Sequence, residues 1–426
     1  MSFAATLPEA VRKRSSRFAI LSAVFGCVSE QFIDSNTIVI LYLMMLGGSA
    51  SFSLFSSAIS AFTHAFTSIP FAYLIARLGL RKSYSLAVYI GVGTFLVMAA
   101  APLAGAAAPA IVILSSLGYS ASRPFYSATW YPLLNNFLRP QDRVPFFGLM
   151  RVIYMAVNTL LLLLLGKLMG AKPPIWLIQA AIVFSAVCLV GRKLCMDRLP
   201  LDPNAKREEV HFPASILALR NSPKLIGFCC LIFYMDLFIL AVIPVAIILM
   251  KTELAYGASI IMYATSTSLA GVILGNAIAS PVVKRFGLFR FQLLTHLIGL
   301  LVIGLLLFVR AGSPANLPLL FTSFLLNGVV QASLMCLGST RQLSLGQPDN
   351  RVISMAFVTS MQNLGTFIGR SGVSLVLASG LLASTWEVRG ITFTSFHSIF
   401  LFCFLMTAVG LIFQLLATVD PNETKD

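Results

Sequence analysis

The stretch Ala72-Tyr-Leu-Ile-Ala-Arg-Leu-Gly-Leu-Arg-Lys82 returns in degenerate form 208 positions later as Ser280-Pro-Val-Val-Lys-Arg-Phe-Gly-Leu-Phe-Arg290. Each copy ends an apolar run of helix length with basic residues around a glycine. A second pair of segments has the same offset: Pro140-Gln-Asp-Arg-Val144 matches Pro348-Asp-Asn-Arg-Val352. Two repeats that agree on one offset indicate that the chain is a tandem duplication.

The composition is typical of a protein that is embedded in a lipid bilayer. Of 426 residues, 58% are hydrophobic and 11% are charged, and the mean hydropathy is +0.89. These values predict a polytopic membrane protein. The formal net charge is +15, but the basic residues stand in short clusters between apolar runs, so they indicate topology and not nucleic-acid binding. The cysteines show no CxxC or Cys/His spacing, so neither a disulfide framework nor a zinc site is supported, and no cofactor is predicted.

Crossing a bilayer takes about 20 apolar residues, and twelve segments of the sequence meet that length. The first apolar run is too long for a signal-peptide core, so it is expected to remain as helix 1. The predicted spans are 18–46, 50–77, 83–103, 107–136, 144–169, 174–195, 222–250, 255–283, 289–310, 315–343, 352–383 and 391–418.

Lysine and arginine fall mostly on one side of these spans, which predicts that both termini are cytoplasmic. Arg192 and Lys193 belong to this basic side. The longest hydrophilic segment predicts a cytoplasmic linker, 196–221, between an N-terminal bundle, 1–195, and a C-terminal bundle, 222–426. Within the linker, residues 213–220 form either a short interfacial helix or an extended tether. Short outer loops without an N-x-[ST] acceptor fit a bacterial inner membrane.

The repeated stretch resembles a motif of the major facilitator superfamily, Gly-x-Leu-Ala-Asp-Arg-x-Gly-Arg-Arg, which lies between helices 2 and 3 and recurs as a remnant between helices 8 and 9. Ala72 and Ala76 replace the opening glycine and the aspartate. The resemblance implies an all-α fold of twelve transmembrane helices in two pseudo-symmetric six-helix bundles. It also implies that these loops gate transport. Five residues stand at motif positions: Arg77, Gly79, Arg81, Arg285 and Gly287.

Glycine pairs at small-xxx-small spacing occur in two predicted helices, Gly271 and Gly275 in helix 8 and Gly365 and Gly369 in helix 11. This spacing lets two helix backbones approach closely. Because helices 2, 5, 8 and 11 form the seam between the halves in the superfamily, the pairs are expected at that seam.

Three carboxylates lie at membrane depth, where a charge needs a cavity or a partner. Glu30 and Asp34 share one face of helix 1, and their repulsion favours a proton on one of them. Asp236 lies at comparable depth in helix 7, the repeat partner of helix 1. The three residues are therefore either proton-coupling groups or members of static pairs with buried arginines.

Two arginines are candidates for those pairs. Arg123, midway along helix 4, resembles a buried arginine of the superfamily, and its expected partners are Asp34 and Glu30. It is either a movable counter-ion or a permanent staple. Arg370 lies deep in helix 11 and could bind an anionic group of a substrate.

Polar and aromatic side chains complete the predicted site. Gln331 is the counterpart of Arg123 in the second repeat. The set either lines a small-molecule pocket or forms hydrogen bonds between helices. Its members are Gln31, Tyr126, Trp130, Asn327, Gln331 and Gln362.

No phosphate-binding loop and no nucleophile–base constellation is present in the sequence, which argues against ATP hydrolysis and against an enzyme. The sequence predicts a monomeric secondary transporter that moves a small organic solute by alternating access, coupled to protons. The alternatives are a uniporter, a multidrug exporter, and a transporter-derived sensor that binds a ligand without moving it.

Overall fold

The computed structural model describes residues 3–34, 37–139, 142–202, 222–345, 351–388 and 391–417, and most of them are helical. The N-terminal half, residues 3–202, contains α1 (Phe3–Thr6), α2 (Glu9–Asp34), α3 (Thr37–Met45), α4 (Ala50–Leu78), α5 (Leu80–Ala100), a 3-10 turn (Ala101–Ala107), α6 (Ala108–Asn135), α7 (Arg143–Met169) and α8 (Ile175–Met196). The C-terminal half, residues 222–417, contains α9 (Pro223–Ile239), α10 (Val242–Thr252), α11 (Ala258–Leu307), α12 (Asn316–Leu345), α13 (Arg351–Ser379), β1 (Thr385–Val388), β2 (Ile391–Thr394) and α14 (Ser395–Ala417).

Apolar helices long enough to cross a membrane account for much of the described chain, in which seven such segments occur. Two of them, Leu80–Tyr126 and Ala258–Leu307, are 47 and 50 residues long, more than twice the length of about 20 residues that one crossing needs. Each of the two contains a glycine with positive φ, Gly105 or Gly287. Each therefore has the length of two crossings and turns at a glycine.

The two copies of the repeated motif turn the chain in the same way. Gly79 has φ 83° and ψ 157°, and Gly287 has φ 79° and ψ 164°. A side chain beyond glycine is strained in this region, so both copies need glycine at the turn. The basic neighbours Arg77, Arg81 and Arg285 are exposed. The repeat read from the sequence is therefore also a repeat of backbone conformation.

Each half has its own packing scheme. In the N-terminal half α2 packs on α7 and α8, and α5 packs on α6 and α8. In the C-terminal half α11 packs on α12 and α14, and α9 packs on α13 and α14. The halves meet where α4 packs on α13 and where α7 packs on α11. These four helices contain the predicted helices 2, 11, 5 and 8, so the seam has the expected members.

The glycine pairs do not lie at this seam, which corrects the expectation from the sequence. A Cβ at Gly271 would meet the backbone of Leu325 on α12, and a Cβ at Gly369 would meet the backbone of Leu237 on α9. Close backbone approach is present, as the spacing predicts, but it joins helices of one half. The spacing carries no information about which neighbour a helix has.

A short hairpin replaces the predicted start of the last helix at residue 391. β1 and β2 pair antiparallel, and Trp386 stacks on Phe393 with ring centroids 4.5 Å apart. β-branched and aromatic residues favour such a cross-strand pair, so α14 begins only at Ser395.

The start of the linker is tied to the N-terminal half. The Tyr84 hydroxyl and the Lys193 ammonium both donate to the Asp197 carboxylate, and the Asp202 N–H donates to Asn136 Oδ1 at 3.0 Å. The rest of the linker, with the predicted interfacial helix at 213–220, lies outside the described residues, as do parts of both Pro-x-x-Arg-Val segments.

Candidate functional site

A cavity of about 310 Å³ lies between the two halves. Helices α2, α3, α6 and α7 line it from the N-terminal half, and α10, α11, α12 and α13 line it from the C-terminal half. Six of the predicted site residues line it together: Glu30, Gln31, Arg123, Asn327, Gln331 and Arg370.

Four other predicted residues are described but do not line this cavity. Tyr126 and Trp130 pack on each other within the N-terminal half, with ring centroids 5.6 Å apart. Gln362 lies beside Gly338 of α12. Asp236 is buried in α9. The side chain of Asp34 lies outside the described residues, so its predicted role is untested.

Glu30 is held by two arginines. Arg192 Nη1 donates to Glu30 Oε1 at 2.9 Å, and Arg123 Nη2 lies 3.7 Å from Glu30 Oε2. The Arg192 side chain is 6% exposed and the Glu30 side chain 22%. The expected pair of Arg123 with Glu30 is present, but the closer partner is Arg192, which sequence reasoning assigned only to the basic cytoplasmic side.

The surroundings of Arg192 explain its burial near the end of α8. Its guanidinium carbon lies 3.0 Å from the Tyr126 ring centroid, a cation–π contact. Gly26 on α2 leaves room for the guanidinium, since a Cβ there would collide with it. The Ser29 hydroxyl donates to the Ser185 carbonyl at 2.8 Å and joins α2 to α8 one turn deeper. A single sequence does not show that a glycine on helix 1 lies opposite an arginine on helix 6.

Arg123 contacts a second helix as well. Its Nη1 donates to the Ser60 hydroxyl of α4 at 3.1 Å, while its Nη2 faces Glu30 on α2. Arg123 therefore links α6 to both α2 and α4 at the cavity wall.

Arg370 joins the two halves. Its Nη1 donates to the Ser57 carbonyl of α4 at 2.7 Å, and its Nε donates to the Leu240 carbonyl at 3.3 Å. Leu240 lies between α9 and α10, and its carbonyl is four residues before Pro244, which has no N–H to offer it. The proline therefore releases an acceptor that the guanidinium occupies.

Asp236 is a buried carboxyl group whose surroundings differ from those of Glu30. Its relative exposure is 3%, and its Oδ1 has no hydrogen-bond partner within the described ranges. A buried carboxyl oxygen without a hydrogen bond is costly in an apolar interior.

Two amide side chains on the cavity wall are also left without partners. Asn327 on α12 is fully buried, and neither Oδ1 nor Nδ2 has a hydrogen-bond partner among the residues that the structure describes. Asn158 on α7 is 2% exposed, and its Oδ1 is likewise unpaired within that part of the chain. Asn158 escaped the sequence analysis, although a lone asparagine in the apolar run of helix 5 is a readable signal.

No group of three or more His, Cys, Asp or Glu side chains in the described ranges is arranged to hold a metal ion. The charged groups of the cavity are a carboxylate and guanidinium groups, which can bind and orient a polar solute.

Residues 226–426 match the family model of the Major Facilitator Superfamily. No curated protein matches the sequence. Among solved structures, a mutant of the nucleoside transporter NupG aligns with a TM-score of 0.74 and 14% identity over 95% of this chain and 100% of that one. The D-xylose-proton symporter aligns with a TM-score of 0.69 and 13% identity over 97% and 98% of the two chains.

A POT family transporter in complex with 5-aminolevulinic acid is also similar, with a TM-score of 0.65 and 11% identity over 97% of each chain. At such identities the likeness shows the fold alone. All three structures are transporters, and their fold extends over the N-terminal residues that the family model leaves unmatched. The family model assigns residues 226–426 to the Major Facilitator Superfamily, and the apolar helices and the shared fold of the whole chain are those of a multi-pass membrane protein.

Proposed function

We propose that the protein is a secondary active transporter that moves a small organic solute by alternating access and couples this movement to protons. The observation that carries the proposal is the cavity between the halves, which brings Glu30 and Arg123 of one half together with Arg370 of the other. A solute bound there contacts both halves, so its binding can alter how they pack.

The proposed topology has twelve transmembrane helices, six in each bundle, 1–195 and 222–426, with the linker 196–221 and both termini in the cytoplasm. It is supported by the double-length segments that turn at Gly105 and Gly287 and by the basic residues at the motif turns. We further propose a monomer in a bacterial inner membrane, with no nucleic-acid partner.

Alternating access requires that the halves separate on one side at a time. Besides the Arg370–Ser57 hydrogen bond at the cavity, further hydrogen bonds between described residues join the halves toward the side remote from the linker, here called the far side. Thr37 Oγ1 lies 2.7 Å from Thr265 Oγ1, Ser374 Oγ donates to the Ser51 carbonyl at 2.7 Å, and the Ser259 N–H donates to the Gly170 carbonyl at 2.9 Å. These contacts must break when the cavity opens to the far side.

The motif loops are the proposed gating elements of the opposite side. Each has a glycine turn flanked by exposed basic residues, with Gly79 beside Arg77 and Arg81, and Gly287 beside Arg285.

Proton coupling is assigned to Glu30, Asp34 and Asp236. The contact of Arg123 with Glu30 is longer than that of Arg192, at 3.7 Å against 2.9 Å. Protonation of Glu30 would weaken both contacts, and the longer one to Arg123 would be released more readily, which makes Arg123 the movable partner and Arg192 the staple. Asp236 would be the corresponding proton carrier of the other half.

The test is the internal pH of proteoliposomes while metabolites and drugs are added from outside. A solute-dependent proton signal in wild type that is lost in the double variant Glu30→Gln, Asp34→Asn is expected. Solute flux without a proton signal would make the protein a uniporter. Saturable binding without flux would make it a sensor, and expulsion of drugs by an imposed proton gradient would make it an exporter.

A further inference from the structure

We infer that the solute carries an amide-type edge, a hydrogen-bond donor beside an acceptor, which Asn327 of one half and Asn158 of the other bind together. The inference rests on the proposed function, because it names the chemical class that the same cavity takes.

The first argument for an amide-type edge comes from Asn327. Buried amide groups are normally hydrogen-bonded, and each exception calls for an explanation. Both polar atoms of this fully buried side chain lack a partner among the described residues, and the side chain lines the cavity. Whichever way the amide is turned, it presents one donor and one acceptor side by side. A cyclic amide, an imide or a carboxamide offers the complementary pair, as in the two-point contact of asparagine with adenine.

The second argument comes from Asn158, which requires a further hydrogen-bond donor on the solute and belongs to the other half. Its Oδ1 is an unpaired acceptor on α7, and it lines the same cavity as Asn327 on α12. A solute with a further N–H satisfies both asparagines and thereby joins the two halves. Its aromatic or aliphatic body would lie against apolar lining residues such as Tyr154, Met155 and Phe324.

The neighbouring amides show that this arrangement is not general in the described part of the chain. Asn276 on α11 donates to the Val272 carbonyl of its own helix at 2.9 Å, and Asn316 pairs with the backbone of Arg310. Asn276 is therefore a control on a neighbouring helix, since it is a hydrogen-bonded amide that does not line the cavity.

The experiment measures ligand binding to the full chain in detergent by calorimetry and by thermal shift. The probes are uracil and nicotinamide, each with its N-alkylated counterpart, 1,3-dimethyluracil and N,N-diethylnicotinamide, which keep the acceptors and lose the donors. The variants are Asn327→Leu, which has a similar shape, and the control Asn276→Leu.

At least one donor-bearing probe should bind to wild type and to Asn276→Leu, and its alkylated counterpart should not. Asn327→Leu should weaken that binding about tenfold or more, because a buried two-point hydrogen bond is lost. The unliganded Asn327→Leu protein should melt at the wild-type temperature or higher, because the substitution removes an unpaired polar group.

Three results overturn the inference: no binding of either donor-bearing probe, equal binding of the donor-bearing and alkylated forms, or a fall in the melting temperature of unliganded Asn327→Leu that marks a structural amide. Transport by the wild type of a solute without an amide edge, unchanged in Asn327→Leu, would overturn it while leaving the proposed transport function standing.

Discussion

Arg192 and Glu30 form a hydrogen-bonded ion pair between α8 and α2, with Nη1 and Oε1 2.9 Å apart and the Arg192 side chain 6% exposed. The pair lies beside the central cavity, because Glu30 is a lining residue and Arg192 is not. Arg192 therefore holds the Glu30 carboxylate from behind, while Arg123 faces Glu30 from within the cavity.

Replacing Arg192 should be costly. Arg192→Gln leaves Glu30 without its closest partner, and breaking a buried pair in this way costs about 3–5 kcal/mol. The neighbouring Lys193→Gln affects a partly exposed pair with Asp197 and should cost about 1 kcal/mol or less. Thermal unfolding in detergent measures both. Adding Glu30→Gln to Arg192→Gln should recover part of the loss, and equal unfolding of the Arg192 and Lys193 variants would argue against a buried pair.

The space that Gly26 provides is a second point at which Arg192 can be tested. In Gly26→Ala the new Cβ would meet the guanidinium, and crowding of this kind costs about 1–3 kcal/mol. Gly93→Ala on α5 is the matched control, because nothing lies within 4 Å of a Cβ there and alanine has the higher helix propensity. The melting temperature should fall for Gly26→Ala and stay or rise for Gly93→Ala. The same response in both variants would contradict the packing of Arg192 against α2.

Variants of Asp236 and Glu30 should distinguish a loss of proton coupling from a loss of folding stability. Asp236→Asn removes a carboxyl group whose Oδ1 has no partner among described residues, so folding stability should be kept, whereas Glu30→Gln deprives Arg192 of its partner and should destabilise. Solute counterflow in proteoliposomes should persist in Asp236→Asn, while accumulation driven by a proton gradient is lost. Intact accumulation in this variant would remove Asp236 from the coupling mechanism.

Asp197 gives a prediction about pH. Burial raises the pKa of Asp197, but hydrogen bonds from Lys193 and Tyr84 outweigh it and hold that pKa below the usual value. Because the pKa of Asp197 is lower in the folded state, its interactions contribute their full stability at pH values above the unfolded pKa of about 4. This contribution is lost as the pH falls through the folded pKa. The melting temperature of Asp197→Asn should therefore lie slightly below wild type at pH 7, by an effect of about 1 kcal/mol or less, and match it in acid. A difference that grows on acidification would contradict this sign.

The repeat and the hydropathy of the sequence predicted most of the fold, because both are local patterns. The offset of 208 residues placed Gly79 and Gly287 in equivalent turns, and the structure gives them the same backbone conformation. The hairpin at Trp386 and Phe393 was missed, since four-residue strands are too short to interrupt an apolar average.

The candidate site was predicted less completely, because it depends on which helices face each other. Glu30, Arg123, Asn327 and Arg370 could be found as polar groups at membrane depth, and the cavity brings them together. Arg192 could not, since its burial results from Gly26 and Tyr126 on other helices. Nor does periodicity show that Tyr126 faces Arg192 and not the solute.

The most direct test of alternating access is a reversible cross-link between the halves on the far side. Thr37 and Thr265 have hydroxyl oxygens 2.7 Å apart, so Thr37→Cys with Thr265→Cys should form a disulfide in a chain whose 7 native cysteines are replaced by alanine. Proteoliposome transport by the double variant should stop on oxidation and return on reduction, whereas transport by either single variant should not respond to the oxidant. Full transport by the completely cross-linked protein would show that the halves need not separate there and would contradict alternating access through this side.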